Sequence, residues 1–247
     1  MTTSTTKTAV ITGASSGIGA ATAIALYASG YHLILGARRL EKVRQVGEPL
    51  GATCLELDVT DPESVEAFCA AVPEVHVLVN NAGGALGLDS IANAKDADWQ
   101  RMYDTNVLGL MRMTRSLLPK LEASGAGHIV NIGSVAGREA YPGGAGYNAV
   151  KFAVNAITKV MRLELNGKPI RITEIAPGMT ETEFSLVRFD GDAERAAKVY
   201  AGVIPLSAED IADSIQWAVT RPPHVNIDEI VLKPLAQASA MVVSRKL

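Results

Sequence analysis

Residues 8–19 read TAVITGASSGIG, a short apolar, β-rich run followed by a turn punctuated by glycine at positions 13, 17 and 19. Beyond it an alanine-rich segment reaches Ser29 before Gly30 closes it. The order is strand, glycine turn, helix. Glycine lets a backbone come close to a ligand, and the first turn of a helix offers unpaired N–H groups at a positive dipole end. A pyrophosphate fits that combination. The spacing here is G-x-x-x-G-x-G, not the G-x-G-x-x-G of the general dinucleotide fingerprint, so the turn by itself leaves a phosphate site and a plain structural turn equally open.

Working outward, the alternation repeats. Strands are expected at 32–35, 53–57, 76–79, 170–175 and 227–232, with another ending just before Ser134. Helices are expected at 62–71, along 98–121, from Tyr147 to about 165, at 194–199, and at 207–219, where Ser207 with Glu209 and Asp210 marks a start. Strands alternating with helices predict a parallel sheet whose ligand lies at the carboxyl ends of the strands. Asp58 and Asn81 stand at such ends, where an adenine and its ribose would rest or where each would cap the next turn. The slot that usually holds an acid for the ribose hydroxyls holds Ala37, Arg38 and Arg39 instead. Guanidinium groups bind a 2′-phosphate that a carboxylate would repel, so the expected cofactor is NADP(H). Asn106 and Gly109 are poor helix formers inside the 98–121 helix and predict an irregularity that frees a backbone carbonyl.

A second informative stretch is 131–151, NIGSVAGREAYPGGAGYNAVK. Tyr147 and Lys151 are four apart and share a helix face. Bringing a tyrosine from its usual ~10 down to about 7 takes about 4 kcal/mol. An ammonium at about 5 Å and an effective dielectric of about 20 supplies about 3 kcal/mol. Ser134, at the strand end, is placed to hold a substrate oxygen against that phenol. The segment 179–206 is polar, has little sheet character, and is expected to be a substrate lid.

With 247 residues the chain fits one large α/β domain or two small ones, and no linker divides it. A net charge of −3 with scattered lysines and arginines gives no reason to expect nucleic acid or an anionic membrane. Residues 1–7 lack the apolar core of a secretion signal and no apolar run approaches the ~20 residues of a membrane span, so a cytoplasmic protein is expected. Cys54 and Cys69 read as small buried side chains, not a disulfide. The four histidines lack metal-ligand spacing, and no metal site is expected.

Taken together, the run from Thr12 to Gly19, Asn80-Asn81-Ala82-Gly83, Asn106, Ser134, Tyr147-x-x-x-Lys151 and Pro177-Gly178 resemble the short-chain dehydrogenase/reductase family, in order and spacing across essentially the whole chain. The resemblance implies an α/β fold: a single Rossmann-type, doubly wound parallel sheet of about seven strands with helices on both faces, assembled as homodimers or homotetramers. It implies that Tyr147 is the general acid/base, that Ser134 orients the substrate oxygen, and that Lys151 lowers the pKa of Tyr147 and binds nicotinamide-ribose hydroxyls. Asn106 would hold, through its main-chain carbonyl, a water linking Lys151 to solvent. Gly13, Ser15, Ser16, Gly17, Ile18, Gly19, Arg38, Arg39, Asp58, Val59, Asn81, Ala82, Gly83, Pro177, Gly178 and Thr182 match cofactor-contact positions. The run GMTETEFSLVRFDGD at 178–192, with PPHVNIDEIVLKP later, resembles the NADP-dependent branch acting on 3-hydroxy acids such as serine and allo-threonine. A carboxylate substrate needs a cation, and Arg188 and Arg138 are the candidates. The competing readings are a reductase of bulkier aldehydes or ketones and a non-catalytic NADP-sensing regulator.

Overall fold

The computed structural model describes residues 6–246; the start of the segment read as lacking a secretion signal, residues 1–5, lies outside them. Seven strands, β1 (Thr8–Thr12), β2 (His32–Ala37), β3 (Thr53–Glu56), β4 (Val77–Asn80), β5 (Gly127–Ile132), β6 (Ile170–Pro177) and β7 (Glu229–Leu232), form one sheet in the order 3-2-1-4-5-6-7. Every pairing is parallel. The chain leaves β1 in one direction and resumes on its other side with β4, a topological switch point, and a crevice opens there at the strands' carboxyl ends.

Both faces of the sheet are covered, which is why β1, β4 and β5 are buried at every residue. The helices are α1 (Gly17–Ala28), α2 (Leu40–Gly47), α3 (Pro62–Ala70), α4 (Asp96–Tyr103), α5 (Gly109–Ala123), α6 (Ala145–Glu164), α7 (Glu183–Arg188), α8 (Ala193–Tyr200) and α9 (Ala208–Val219). Alternate strand residues divide between two cores. Ile11, Leu33, Val79 and Ile175 meet Leu26 of α1, Val43 of α2 and Ile215 of α9. Val10, Ile34, Leu78 and Ile129 meet Phe68 of α3 and Met113 and Leu117 of α5. Burying such a side chain is worth about 1.5–3 kcal/mol, so the two layers hold the strand ends firmly in place.

The helix expected along 98–121 is broken into α4 and α5 by one π-helical turn, Asp104–Leu108, with Gly109 N–H donating to the Asp104 carbonyl. The irregularity expected from Asn106 is present, and the Asn106 side chain fastens it: Nδ2 donates to the carbonyls of Met102 (2.8 Å) and Gly84 (2.9 Å), while Oδ1 accepts from Gly84 N–H (3.2 Å). Other boundaries shift. β2 runs two residues past expectation because Gly36 and Ala37 still pair with Leu55 and Glu56. β7 starts at Glu229, with the Ile227 carbonyl taken by the Thr173 hydroxyl (2.7 Å). α2 is not among the expected helices, although Leu40, Val43 and Gly47 stand at i, i+3 and i+7 and the last two are buried.

The segment 179–206 carries α7 and α8 and begins and ends at one place. Thr180 and Leu206 form a parallel bridge, flanked by Glu181 N–H to Leu206 O (2.8 Å) and Leu206 N–H to Met179 O (2.9 Å). After β7 the chain turns back on itself through a Gln237–Val243 bridge, and Arg245 donates to the carbonyl of Val199 on α8 (3.0 Å). Among the described residues no helix is long and apolar enough to cross a membrane. Cys54 and Cys69 are free thiols. No group of three or more His, Cys, Asp or Glu converges among those residues as a metal site would require.

Candidate active site

A cavity of about 820 Å³ lies at the carboxyl ends of the strands. One end of it is built by the glycine turn. Gly13 has φ +66°, and a Cβ there would stand 2.9 Å from Ala82 Cα; at Gly19 a Cβ would stand 2.5 Å from the Gly13 carbonyl oxygen. These two glycines allow the turn to press against the end of β4, where Asn81 Nδ2 donates to the carbonyls of Thr12 (3.0 Å) and Gly13 (3.1 Å). Their first duty is therefore chain against chain, a different reason from the ligand approach expected of them. α1 opens with Ser16 extended and supplying no side-chain cap, and its first turn has no acidic residue. Its leading N–H groups are free for an anion beside the cavity wall formed by Gly17 and Ile18.

Arg39 reaches back over this turn. Its Nη2 donates to Ser15 Oγ (3.1 Å), Ser16 Oγ (3.0 Å) and the Glu183 carboxylate (3.0 Å), which also accepts from Lys42 (3.2 Å). The hydrogen bond from Arg39 is the chief reason the Glu183 carboxyl is held down at about 2. Glu183 is an anion resting on a guanidinium and an ammonium, with the Ser15 and Ser16 hydroxyls held beside it on the same Arg39 nitrogen, and charge-assisted donors of this kind are what a 2′-phosphate requires. Arg38, also exposed, lines the same end. Neither Glu183 nor Lys42 was singled out in the sequence; each lies more than 140 residues from its partner. Asp58, Val59, Asn81, Ala82 and Gly83 line the adjoining wall, with Asp58 Oδ1 bent back onto Thr60 N–H (3.0 Å) and Oγ1 (2.7 Å). Pro177, Gly178 and Thr182 complete it, and Thr182 caps α7 by accepting from Phe184 N–H (3.2 Å).

Deeper in, Ser134, Tyr147 and Lys151 converge. Ser134 Oγ accepts from Ala136 N–H (3.1 Å), which fixes the hydroxyl at the start of its loop. Asn148, unremarked in the sequence, ties that loop to α6 by donating to the Ala136 (2.7 Å) and Glu139 (3.0 Å) carbonyls. Lys151 is buried, with Nζ donating to the Ile132 carbonyl (2.8 Å) and lying 5.7 Å from the Tyr147 ring centroid. Burial pulls the lysine down to about 8 against the opposing charge of Glu174. Burial likewise pushes the Tyr147 phenol above its usual value, with Tyr141 adding to the rise, while a hydrogen bond from Ser134 and the Arg188 guanidinium act downward. The charge argument made from the Tyr147–Lys151 pair leaves out the desolvation of both groups, which acts against it.

The two arginines considered for a carboxylate part company. Arg188 lines the cavity with its guanidinium carbon 5.7 Å from the Tyr147 ring centroid. Nε donates to the Gly87 carbonyl (2.9 Å) and Nη1 to the Tyr141 hydroxyl (3.2 Å), while Nη2 is buried with no partner. Arg138 turns away from the cavity and lies behind the Ser134 loop, against Glu174 (2.9 Å) and Glu229 (3.1 Å). Its charge is already neutralised, so it is withdrawn as a substrate contact. The structure adds residues the sequence did not mark: Gln237, Met241, Val243 and Arg245 of the carboxyl-terminal turn also line the cavity.

Comparison with known proteins agrees with this geometry. The short chain dehydrogenase family model matches residues 7–191. The chain is 55% identical over 234 residues to an uncharacterized oxidoreductase of Mycobacterium tuberculosis (strain ATCC 25618 / H37Rv), covering 95% of this chain and 93% of that protein. It is 40% identical over 238 residues to the NADP-dependent 3-hydroxy acid dehydrogenase of Salmonella typhi, covering 94% and 96%. The solved closed form of a serine dehydrogenase complexed with NADP+ superposes with a TM-score of 0.92 at 36% identity, over 97% of this chain and 100% of that one. The glycine turn, the anion-binding arginine and the Ser134–Tyr147–Lys151 cluster all fall within the matched region, and the chain belongs to the short-chain dehydrogenase family as an NADP-dependent oxidoreductase.

Proposed function

We propose that this enzyme interconverts a small 3-hydroxy acid, such as serine or allo-threonine, and the matching semialdehyde. The observation that carries the reading is Arg188, which lines the cavity with its guanidinium over the Tyr147 ring, pairs with no carboxylate among the described residues, and has Nη2 buried without a partner. A desolvated N–H without an acceptor is costly, and a substrate carboxylate relieves that cost with a charge-assisted hydrogen bond. The relatives named for 3-hydroxy acids and for serine support it, since those molecules carry a carboxylate.

In this reading Ser134 holds the substrate oxygen and Tyr147 exchanges the proton on it. The raised Tyr147 pKa keeps the phenol protonated at rest, the form that donates to an alkoxide during carbonyl reduction. Oxidation needs the phenolate, which Lys151 and Arg188 stabilise, with the positive charge of the oxidised nicotinamide adding to theirs. Bound NADP(H) supplies the hydride or accepts it. Arg38 and Arg39 bind the 2′-phosphate, the glycine turn and α1 take the pyrophosphate, and Asn106 anchors the π turn beside Lys151. The 179–206 segment acts as the lid that brings Arg188 over the substrate. Assembly as a homodimer or homotetramer completes the reading; it is supported by apolar Phe152, Val160 and Leu163, left exposed along α6.

A second reading, reduction of bulkier neutral aldehydes or ketones, is supported by the apolar lining of Leu88, Met179, Phe184, Val187 and Met241. Arg188→Met separates the two. With a panel of hydroxy acids and neutral alcohols followed at 340 nm, KM for the hydroxy acids rises about 10–100-fold while the neutral alcohols are spared. Equal effects on both classes remove the carboxylate reading.

A further inference from the structure

Three consecutive residues at the end of β5 are each tied to a different partner. The Ile132 carbonyl accepts from Lys151 Nζ at 2.8 Å. The Ser134 carbonyl accepts from Arg138 Nη1 at 3.2 Å. Between them, Gly133 makes room: a Cβ at that position would stand 2.0 Å from Glu174 Oε1. The carboxylate of Glu174 on β6 therefore comes up directly beneath the backbone that carries both the lysine's acceptor and the substrate-binding serine. It is wholly buried, with Oε1 accepting from Arg138 (2.9 Å) and Oε2 from Asn155 Nδ2 (2.7 Å).

A buried carboxylate with this placement has two physical effects. Through Arg138 it fixes the Ser134 main chain, because the same Nη1 bonds the carboxylate and the serine carbonyl. Through space it opposes the discharge of Lys151, which burial pulls down to about 8. We propose that Glu174 is a positioning residue for the reaction, holding in register, by way of Arg138 and its close approach to Gly133, the main chain that carries both Ser134 and the carbonyl on which Lys151 rests. Other ionisable groups of the site and of the elements packed against α6 are Tyr147 on α6 itself, Arg188 on α7, Arg138 in the Ser134 loop, and, on the α4 and π-turn segments, Asp96, Asp98, Arg101, Tyr103 and Asp104, the last paired with Arg112 (2.6 Å). Glu229 of β7 stands beyond Arg138, between it and Lys159. Among the described groups that shift Lys151, Glu174 alone acts upward.

The inference rests on Lys151 acting as the ammonium of the proposed chemistry, and its test is the pH profile of kcat/KM for NADP+-dependent oxidation of the best alcohol substrate of the wild type, whichever class that proves to be. In Glu174→Gln, which keeps shape and removes charge, Lys151 gives up its proton sooner, and the alkaline limb moves to lower pH by about half a unit or more. In the same variant kcat falls about tenfold as the Arg138–Ser134 tie loosens, while NADPH affinity, read by fluorescence, stays at the wild-type value. Glu174→Asp keeps the charge but withdraws it by one methylene; the limb returns toward the wild-type pH and kcat stays depressed. Should Glu174→Gln fail to fold, Gly133→Ala changes no charge yet displaces the carboxylate, and it shifts the limb in the same direction. A purely structural Glu174 lowers the melting temperature and leaves the limb of every folded variant where it was. That result overturns the proposal.

Discussion

Arg138 and Arg188 approach the Ser134–Tyr147 cluster from opposite sides, and what surrounds them is opposite too. Arg138 on the inner side meets two carboxylates and a main-chain carbonyl. Arg188 on the lid side meets a carbonyl, a phenol and the edge of a cavity; Nη2 of each arginine lacks an aligned hydrogen bond, but Glu229 stands 3.1 Å from that of Arg138, whereas no carboxylate among the described residues pairs with Arg188. A buried cation that has its counter-ions within the fold serves to hold structure, since breaking such a pair strands a charge in a poor solvent. A cation without a counter-ion at the wall of a cavity is available for a ligand. The sequence alone, which places both arginines near the right motifs, does not distinguish them.

The largest expected effect comes from removing what lies between the two. Tyr147→Phe keeps the ring but deletes the proton donor, and turnover of the best substrate falls by about 10²–10⁴-fold while NADPH still binds; turnover at the wild-type level ends the mechanism. Next, Arg138→Met leaves Glu174 buried without its cation and costs about 3–5 kcal/mol of stability, measured by urea unfolding. Arg188→Met does not destabilise comparably and acts instead on KM for acids, so equal losses of stability in the two variants show that both arginines serve the fold. The smallest effect concerns a third guanidinium, Arg39, which has an internal carboxylate but in a half-exposed setting. Replacing Arg38 and Arg39 together by alanine weakens NADP(H) binding about tenfold and leaves NAD(H) nearly unchanged by equilibrium titration. A uniform loss assigns these arginines to folding.

What could be read from the chain and what could not divide along the same physical line. The alternation of strands and helices, the Tyr147–Lys151 pair and the strand-end residues Asp58 and Asn81 are local patterns, set by spacing of a few residues. Glu183 on Arg39, Glu174 under Gly133, and Gln237 at the cavity wall are meetings across the sheet between residues far apart in sequence. Sheet order alone brings them together. A sound local pattern still omits part of the energetics, as with Tyr147: the lysine is near, but the degree of burial is a property of the packed cluster and not of i, i+4 spacing.

The π turn at Asp104–Leu108 adds one residue to a helix that otherwise runs on from α4 into α5. One extra residue rotates everything downstream by about 100°. That phase shift lets a single run of helix adhere to two different layers: α4 packs against α6, while α5 packs against α3, β4 and β5. Deleting one residue from the turn would restore an unbroken helical period, and it would swing Met113, Leu117 and Leu121 off the sheet. The wide turn works as a clutch between two otherwise incompatible helix phases.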